Sequence, residues 1–154
     1  MSQAIARGTP RTNLVVRALN PLVGRLLGAG LRFGPNVLIT VRGRSSGQPR
    51  TFPVAILELD GRRFIQSPWG EVNWVRNLRV AQEAILSHGS GRERVEAIEI
   101  PPEEGGPILR GSMERYFRSP ILSLVIRQSF GLHRSSTPEE FVAVARAHPM
   151  FELR

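Results

Sequence analysis

Eight consecutive residues, Gly43-Arg44-Ser45-Ser46-Gly47-Gln48-Pro49-Arg50, concentrate groups that bind anions. The glycines let backbone N–H groups come close to a ligand, the serine hydroxyls donate, and each guanidinium can grip a phosphate or carboxylate with two parallel hydrogen bonds. An apolar β-type run lies on each side: Asn36-Val37-Leu38-Ile39-Thr40-Val41 before it and Thr51-Phe52-Pro53-Val54-Ala55-Ile56-Leu57 after it. A loop of this kind between two strands suits an anionic tail.

Other chemistry is scarce. The 154 residues contain no cysteine, which excludes disulfides, thiolate metal sites and cysteine nucleophiles. The three histidines, His88, His133 and His148, stand at no metal-ligand spacing and read as structural or solvent-facing. No metal is expected, and neither a catalytic triad nor a working carboxylate pair is visible. All 21 basic residues are arginine, and the formal charge is +8. Such a field attracts polyanions: nucleic acid, anionic lipid, or a phosphorylated or polycarboxylated small molecule. Nucleic acid is disfavoured, because the arginines are scattered and no aromatic pair at alternate strand positions offers a stacking face.

The elements that would hold the loop follow from periodicity. Residues 1–10 read as a frayed terminus and residues 11–32 as a basic, amphipathic helical segment divided at Asn20-Pro21. Strands are expected at 36–42, 50–59 and 62–67, the last two joined by the hairpin turn Asp60-Gly61. A short helix at 72–79 and strands at 83–88 and 92–100 come next. Pro101-Pro102 and Gly105-Gly106-Pro107 read as a break, followed by helices at 107–118 and 119–130. Thr137-Pro138-Glu139-Glu140 opens another helix, and residues 150–153 can close as a strand. The expectation is one α+β domain over 1–154. Its five or six antiparallel strands would form a small barrel between an N-terminal helical segment and C-terminal helices.

The order of motifs carries a resemblance. The loop, then Arg50-Thr51-Phe52-Pro53, then Ser67-Pro68-Trp69-Gly70, then Asn73-Trp74-Val75-Arg76-Asn77-Leu78 resembles the deazaflavin-dependent nitroreductase family. These are split β-barrel proteins of actinobacteria that use coenzyme F420. The tail from Glu140-Phe141 to His148-Pro149-Met150-Phe151 is similar as well. The likeness covers about residues 36–100 well and the two ends loosely.

The resemblance implies a cofactor with a phosphate, a lactyl group and an oligoglutamate tail. Carried over, Arg44, Ser45, Ser46, Gly47, Gln48 and Arg50 would hold phosphate and tail. Thr51, Phe52, Pro53, Val54 and Ala55 would run beside the ring system and give it backbone N–H groups. Ile65, Gln66, Ser67 and Pro68 would form the opposite wall, with Ser67 as a proton relay or ring contact. Asn73, Trp74, Val75, Arg76 and Asn77 would close over the ring or linker, Trp74 packing and Asn77 fixing the loop. The implied activity is hydride transfer between the deazaflavin and an electron-poor acceptor, a quinone or a nitro compound.

The chain departs from the family at Ser45, where lysine is frequent, at Pro68-Trp69, and at Ala55, where an aromatic residue can occur. Tyr116 is the single tyrosine, so no tyrosine-lined pocket is available. These departures favour a quinone or another conjugated lipophile as acceptor. Two alternatives stay open: FMN in place of F420, and a non-catalytic barrel that binds a lipid or the deazaflavin. The remaining expectations are a cytoplasmic protein, peripheral membrane contact through 11–32, and a homodimer.

Overall fold

Asp60 and Gly61 both adopt positive φ, 52° and 74°. Two such residues in succession make the turn whose twist matches a hairpin, so the chain folds straight back on itself. The strands joined there are β2 (Pro49–Leu59) and β3 (Arg62–Gln66). The structure, a computed structural model, describes residues 36–154. The helical segment expected at 11–32, the frayed residues 1–10 and the membrane contact assigned to 11–32 lie outside the described residues.

Six strands close into a barrel in the order β1 (Asn36–Arg42), β2, β3, β6 (Met150–Leu153), β5 (Gly91–Ile100) and β4 (Glu83–His88). Every neighbouring pair is antiparallel, and β4 returns to β1. Closure depends on the last four-residue strand, which fills the gap between β3 and β5. The α+β split barrel expected from the sequence is therefore the fold, with six strands.

Alternation along the strands divides two cores. Ile39, Val41, Val54, Ile56, Ile65, Leu86, Val95, Phe151 and Leu153 fill the barrel interior. Helix α1 (Asn73–Ala81) adds Trp74, Val75 and Leu78 to that core. Its Trp74 ring lies 6.3 Å from Phe151. A second core lies outside the barrel, where Leu57, Phe64, Ile100 and Met150 meet α2 (Pro102–Met113) and α4 (Pro138–Ala147). Between those helices come a 3-10 turn at Tyr116–Arg118 and α3 (Pro120–Phe130).

The helix expected at 107–118 is shifted: it spans Pro102–Met113, and a separate 3-10 turn follows at Tyr116–Arg118. Gly105-Gly106-Pro107 does not break the chain; it lies inside α2, which begins at Pro102. The glycines lower helix propensity by about 1 kcal/mol each and an internal proline by about 3 kcal/mol. Both glycines are nevertheless required where α2 crosses α4. A Cβ on Gly105 would stand 3.2 Å from the Ala145 Cβ, and one on Gly106 would stand 2.9 Å from the Val142 backbone nitrogen. That close approach buries Ile108, Leu109, Met113 and Phe141, at about 1.5–3 kcal/mol each. Burial outweighs the propensity cost, so tertiary packing overrides the local signal.

Candidate functional site

The anion loop is closed by its own backbone. Gly43 N–H donates to the Gln48 carbonyl and Gly47 N–H donates to the Gly43 carbonyl, both at 2.8 Å. Gly47 needs the left-handed conformation (φ 68°) to make this turn. A side chain at Gly43 would meet Ser46 Oγ at 2.9 Å and the Gln48 carbonyl at 3.1 Å. Ser46 Oγ accepts from Gln48 N–H, which ties the tip together.

The loop is pinned from α1. Asn77, buried on the inner face of that helix, accepts through Oδ1 from the Arg44 backbone N–H at 3.2 Å and from Arg44 Nη1 at 2.8 Å. Arg44, Ser45, Ser46, Gln48 and Arg50 are all exposed. Among the described residues, Arg42, Arg44, Arg50 and Arg76 form no ion pair with a carboxylate, whereas Arg62, Arg63, Arg79, Arg94, Arg134, Arg146 and Arg154 do. Arg42, Arg44 and Arg50, in and beside the loop, thus keep charge that no carboxylate among the described residues pairs with, as do Arg92, Arg110, Arg115, Arg118 and Arg127 elsewhere, whereas Arg79 of α1 is paired with Glu71 and Glu99.

Next to the loop the barrel is split. The ladder between β1 and β2 runs from Asn36–Ala55 to Arg42–Pro49, but that between β2 and β3 stops at Ile56–Ile65. Along Pro49–Ala55, β2 therefore has a strand partner on one edge only. The two-residue turn makes Leu59 and Arg62 a hydrogen-bonded pair, and strict alternation then turns the backbone groups of Leu57, Ala55, Pro53 and Thr51 toward the β3 side. Thr51 and Ala55 consequently aim their N–H groups at the open edge. Pro53, with no N–H to donate, falls on that same edge, where its absence breaks no ladder. Thr51 Oγ1 is engaged with Thr40 Oγ1 at 2.8 Å.

Across the split, the end of β3 and the residue after it hold two buried polar oxygens without partners. Ser67 Oγ and Gln66 Oε1 make no hydrogen bond, although Ser67 is fully buried and Gln66 nearly so. Buried polar atoms are normally satisfied, and leaving one unpaired costs about 1–3 kcal/mol. Their backbone and remaining side-chain groups are held by the C-terminal segment. Ser67 N–H donates to the Pro149 carbonyl at 3.0 Å, Gln66 Nε2 donates to the His148 carbonyl at 3.2 Å, and His148 Nδ1–H donates to the Ser67 carbonyl at 2.9 Å. A carbonyl can only accept, so that contact sets the His148 tautomer. Burial pushes the imidazole below its ordinary value, partly countered by the bond to Ser67. His148, which the sequence marks as structural or solvent-facing, is thus half-buried against the site wall. The contact spans 81 residues, and no local pattern announces it.

The remaining expected residues divide by burial. Val54, Ile65, Trp74 and Val75 spend their side chains in the barrel core, so their role is packing the scaffold. Phe52 is half-buried against the same core, Pro53 and Pro68 are half-buried, and Ala55 and Asn73 are exposed.

A closed antiparallel barrel with one strand edge left open, a basic loop above that edge and unsatisfied polar groups across from it defines a split-barrel oxidoreductase of the flavin and deazaflavin type. The chain belongs to the F420H(2)-dependent quinone reductase family, whose sequence pattern matches residues 11–119. It is an F420-dependent oxidoreductase, and coenzyme F420 is its cofactor. Curated proteins give no sequence match. Among solved structures, it is similar to an F420-H2-dependent reductase, FDR-A, at 18% identity and a TM-score of 0.51, over 78% of this chain and 94% of that one. It is also similar to a chain described as a domain-swapped dimer, at 18% identity and a TM-score of 0.54, over 91% of this chain and 99% of that one. At that identity both likenesses speak to the fold.

The residues present fit the cofactor. Unanswered arginines on an exposed, pinned loop match a phosphate and an oligoglutamate tail. Free backbone N–H groups at Thr51 and Ala55 match carbonyl acceptors on a planar ring, and the orphaned oxygens of Gln66 and Ser67 match polar ring substituents. Among the described residues no cluster of His, Cys, Asp or Glu could hold a metal ion.

Proposed function

We propose that the enzyme transfers hydride from reduced F420 to a lipophilic quinone, with the ring lying along the open edge of β2. The observation that carries this reading is that edge itself. The Thr51 and Ala55 N–H groups are directed at it, with Gln66 Oε1 and Ser67 Oγ, both without a hydrogen-bond partner, at and just past the end of the facing strand. When bound, reduced F420 supplies the hydride. The chain's own work is orientation. The Arg44 loop, pinned by Asn77, grips the anionic tail and sets the position of the ring. Fixed backbone donors along β2 favour whichever redox form carries more negative charge at the ring edge, at no cost of reorganisation. Holding donor and acceptor in register replaces acid–base machinery. Ser67 Oγ, free to donate, is the one side chain of the wall that can pass a proton.

A quinone is favoured over a nitro compound because Tyr116 is the chain's single tyrosine, which leaves no tyrosine-lined pocket. The test is a fluorescence titration with F420 and, in parallel, FMN at two salt concentrations, followed by turnover with a quinone and a nitroimidazole. Micromolar, salt-sensitive F420 binding, weak FMN binding and faster quinone reduction are expected. Equal binding of FMN would overturn the tail clamp, and faster nitroimidazole reduction would overturn the acceptor.

A further inference from the structure

Helix α3 is apolar on both of its faces. Ser123, Ile126 and Phe130 face the body, and of these Ile126 alone is buried. The opposite face presents Ile121, Leu122, Leu124 and Val125, exposed by 75, 43, 44 and 52%. At helical spacing these four form one apolar stripe that points away from the protein. The helix is nonetheless well formed at both ends. Ser119 Oγ caps its first turn by accepting from Leu122 N–H, and Gly131 closes it in the left-handed conformation. The family's sequence pattern ends at residue 119, so this helix lies beyond the part of the chain that it describes.

We propose that α3 is a docking helix for an anionic lipid surface. The charge pattern selects this occupant. No acidic residue occurs between Glu114 and Glu139, while Arg115, Arg118, Arg127 and Arg134 do. Of these, Arg134 is paired with Glu114; the other three form no ion pair among the described residues. Two copies packed through this stripe would bring two basic surfaces together with no carboxylate on the helix to relieve them. Anionic headgroups would answer those charges while the stripe enters the acyl boundary. No helix among the described residues is long and apolar enough to cross a membrane, so the contact is peripheral.

The position suits delivery of a membrane-dissolved acceptor, an extension that rests on the quinone reading. Phe130, the last residue of α3, lies edge-on to His148 at 5.2 Å, and His148 holds the Ser67 carbonyl. The helix that carries the docking stripe therefore packs its inner face against the wall of the cleft.

The experiment needs neither cofactor nor acceptor, so its outcome is separate from that of the reductase reading. Full-length protein is co-sedimented with vesicles of phosphatidylglycerol and phosphatidylcholine, and with phosphatidylcholine alone, at low and high salt. Binding to the anionic vesicles, weakened by salt, is expected. Ile121→Glu with Val125→Glu should weaken it about tenfold or more, and the uncharged pair Ile121→Ser with Val125→Ser should act in the same direction. Unaltered melting and F420 affinity would show that the body is intact. No vesicle binding, or binding that both double variants leave unchanged, overturns the proposal; the latter would move the contact to another surface such as residues 11–32. A dimer in size-exclusion chromatography that the serine pair dissolves, without vesicle binding, would overturn it in favour of a second copy.

Discussion

Asn77 Oδ1 accepts two hydrogen bonds from one residue, the backbone N–H and the guanidinium of Arg44. A single buried amide on α1 thus sets both the path of the anion loop and the direction of its first arginine. Asn77→Ala should cost about 1–2 kcal/mol of stability and about tenfold in F420 affinity. Asn77→Asp is the sharper variant. Its carboxylate can still hold Arg44, so urea unfolding should stay near wild type. It also cancels the arginine's charge, so F420 affinity should fall and its salt dependence become shallower. If Asn77→Asp binds F420 as tightly as wild type, the Arg44 charge does not serve the tail.

Ser67→Ala removes a hydroxyl that has no partner. Relief of an unpaired buried group predicts unchanged or slightly raised stability, by up to about 1 kcal/mol. A fall in turnover at unchanged F420 affinity would mark Ser67 as the proton donor to the acceptor. A fall in affinity alone would make it a ring contact. Stopped-flow oxidation of the reduced cofactor separates the two.

Acid sensitivity should centre on β6. The Glu152 carboxyl lies buried in that strand and is held at about 2, chiefly by the hydrogen bond from Arg62 Nε at 2.7 Å, with Arg154 adding to it. A carboxyl lowered in the folded state stabilises fully above its unfolded value, and that contribution is lost as pH falls toward the folded one. The melting temperature should therefore drop between about pH 5 and pH 2. Glu152→Gln should flatten that slope and lower stability at neutral pH by about 1–2 kcal/mol. Some slope will remain, because Arg79 and Arg63 lower Glu71 and Glu93 in the same direction.

Helix α2 should tolerate a methyl group at one glycine and not at another. Gly106→Ala drives its Cβ against the backbone of Val142 and should cost about 2–3 kcal/mol. Gly111→Ala meets only the end of the Leu59 side chain, 2.9 Å from Cδ1. That side chain can rotate, and alanine gains helix propensity, so the change should be within about 1 kcal/mol of neutral. Thermal melts of the two variants check this.

Much of the molecule was legible in the chain because it is written locally. Asp60-Gly61 dictates its hairpin within two residues. Thr137 and Glu140 close a reciprocal cap three residues apart, with Thr137 N–H donating to Glu140 and Glu140 N–H to Thr137. The apolar run Val54–Leu57 and the alternation Val95-Glu96-Ala97 mark strands, and the glycines, serines and arginines of residues 43–50 declare an anion loop before any fold is known. Tertiary structure decided what depends on distant partners. The barrel closes only because Met150–Leu153 finds β3 and β5 at once, a pairing that no short window encodes. Gly105-Gly106-Pro107 reads as a stop, yet becomes helix because α4 lies close enough to repay the burial. His148 looks inert until the fold brings it to Ser67, and the orphaned oxygens of Gln66 and Ser67 exist only once the barrel has excluded water from them. Sequence determines which groups are available and how each short segment bends. Which of them meet, and which are left without a partner, is settled by packing between segments far apart in the chain, and the cleft of this enzyme is made of those meetings.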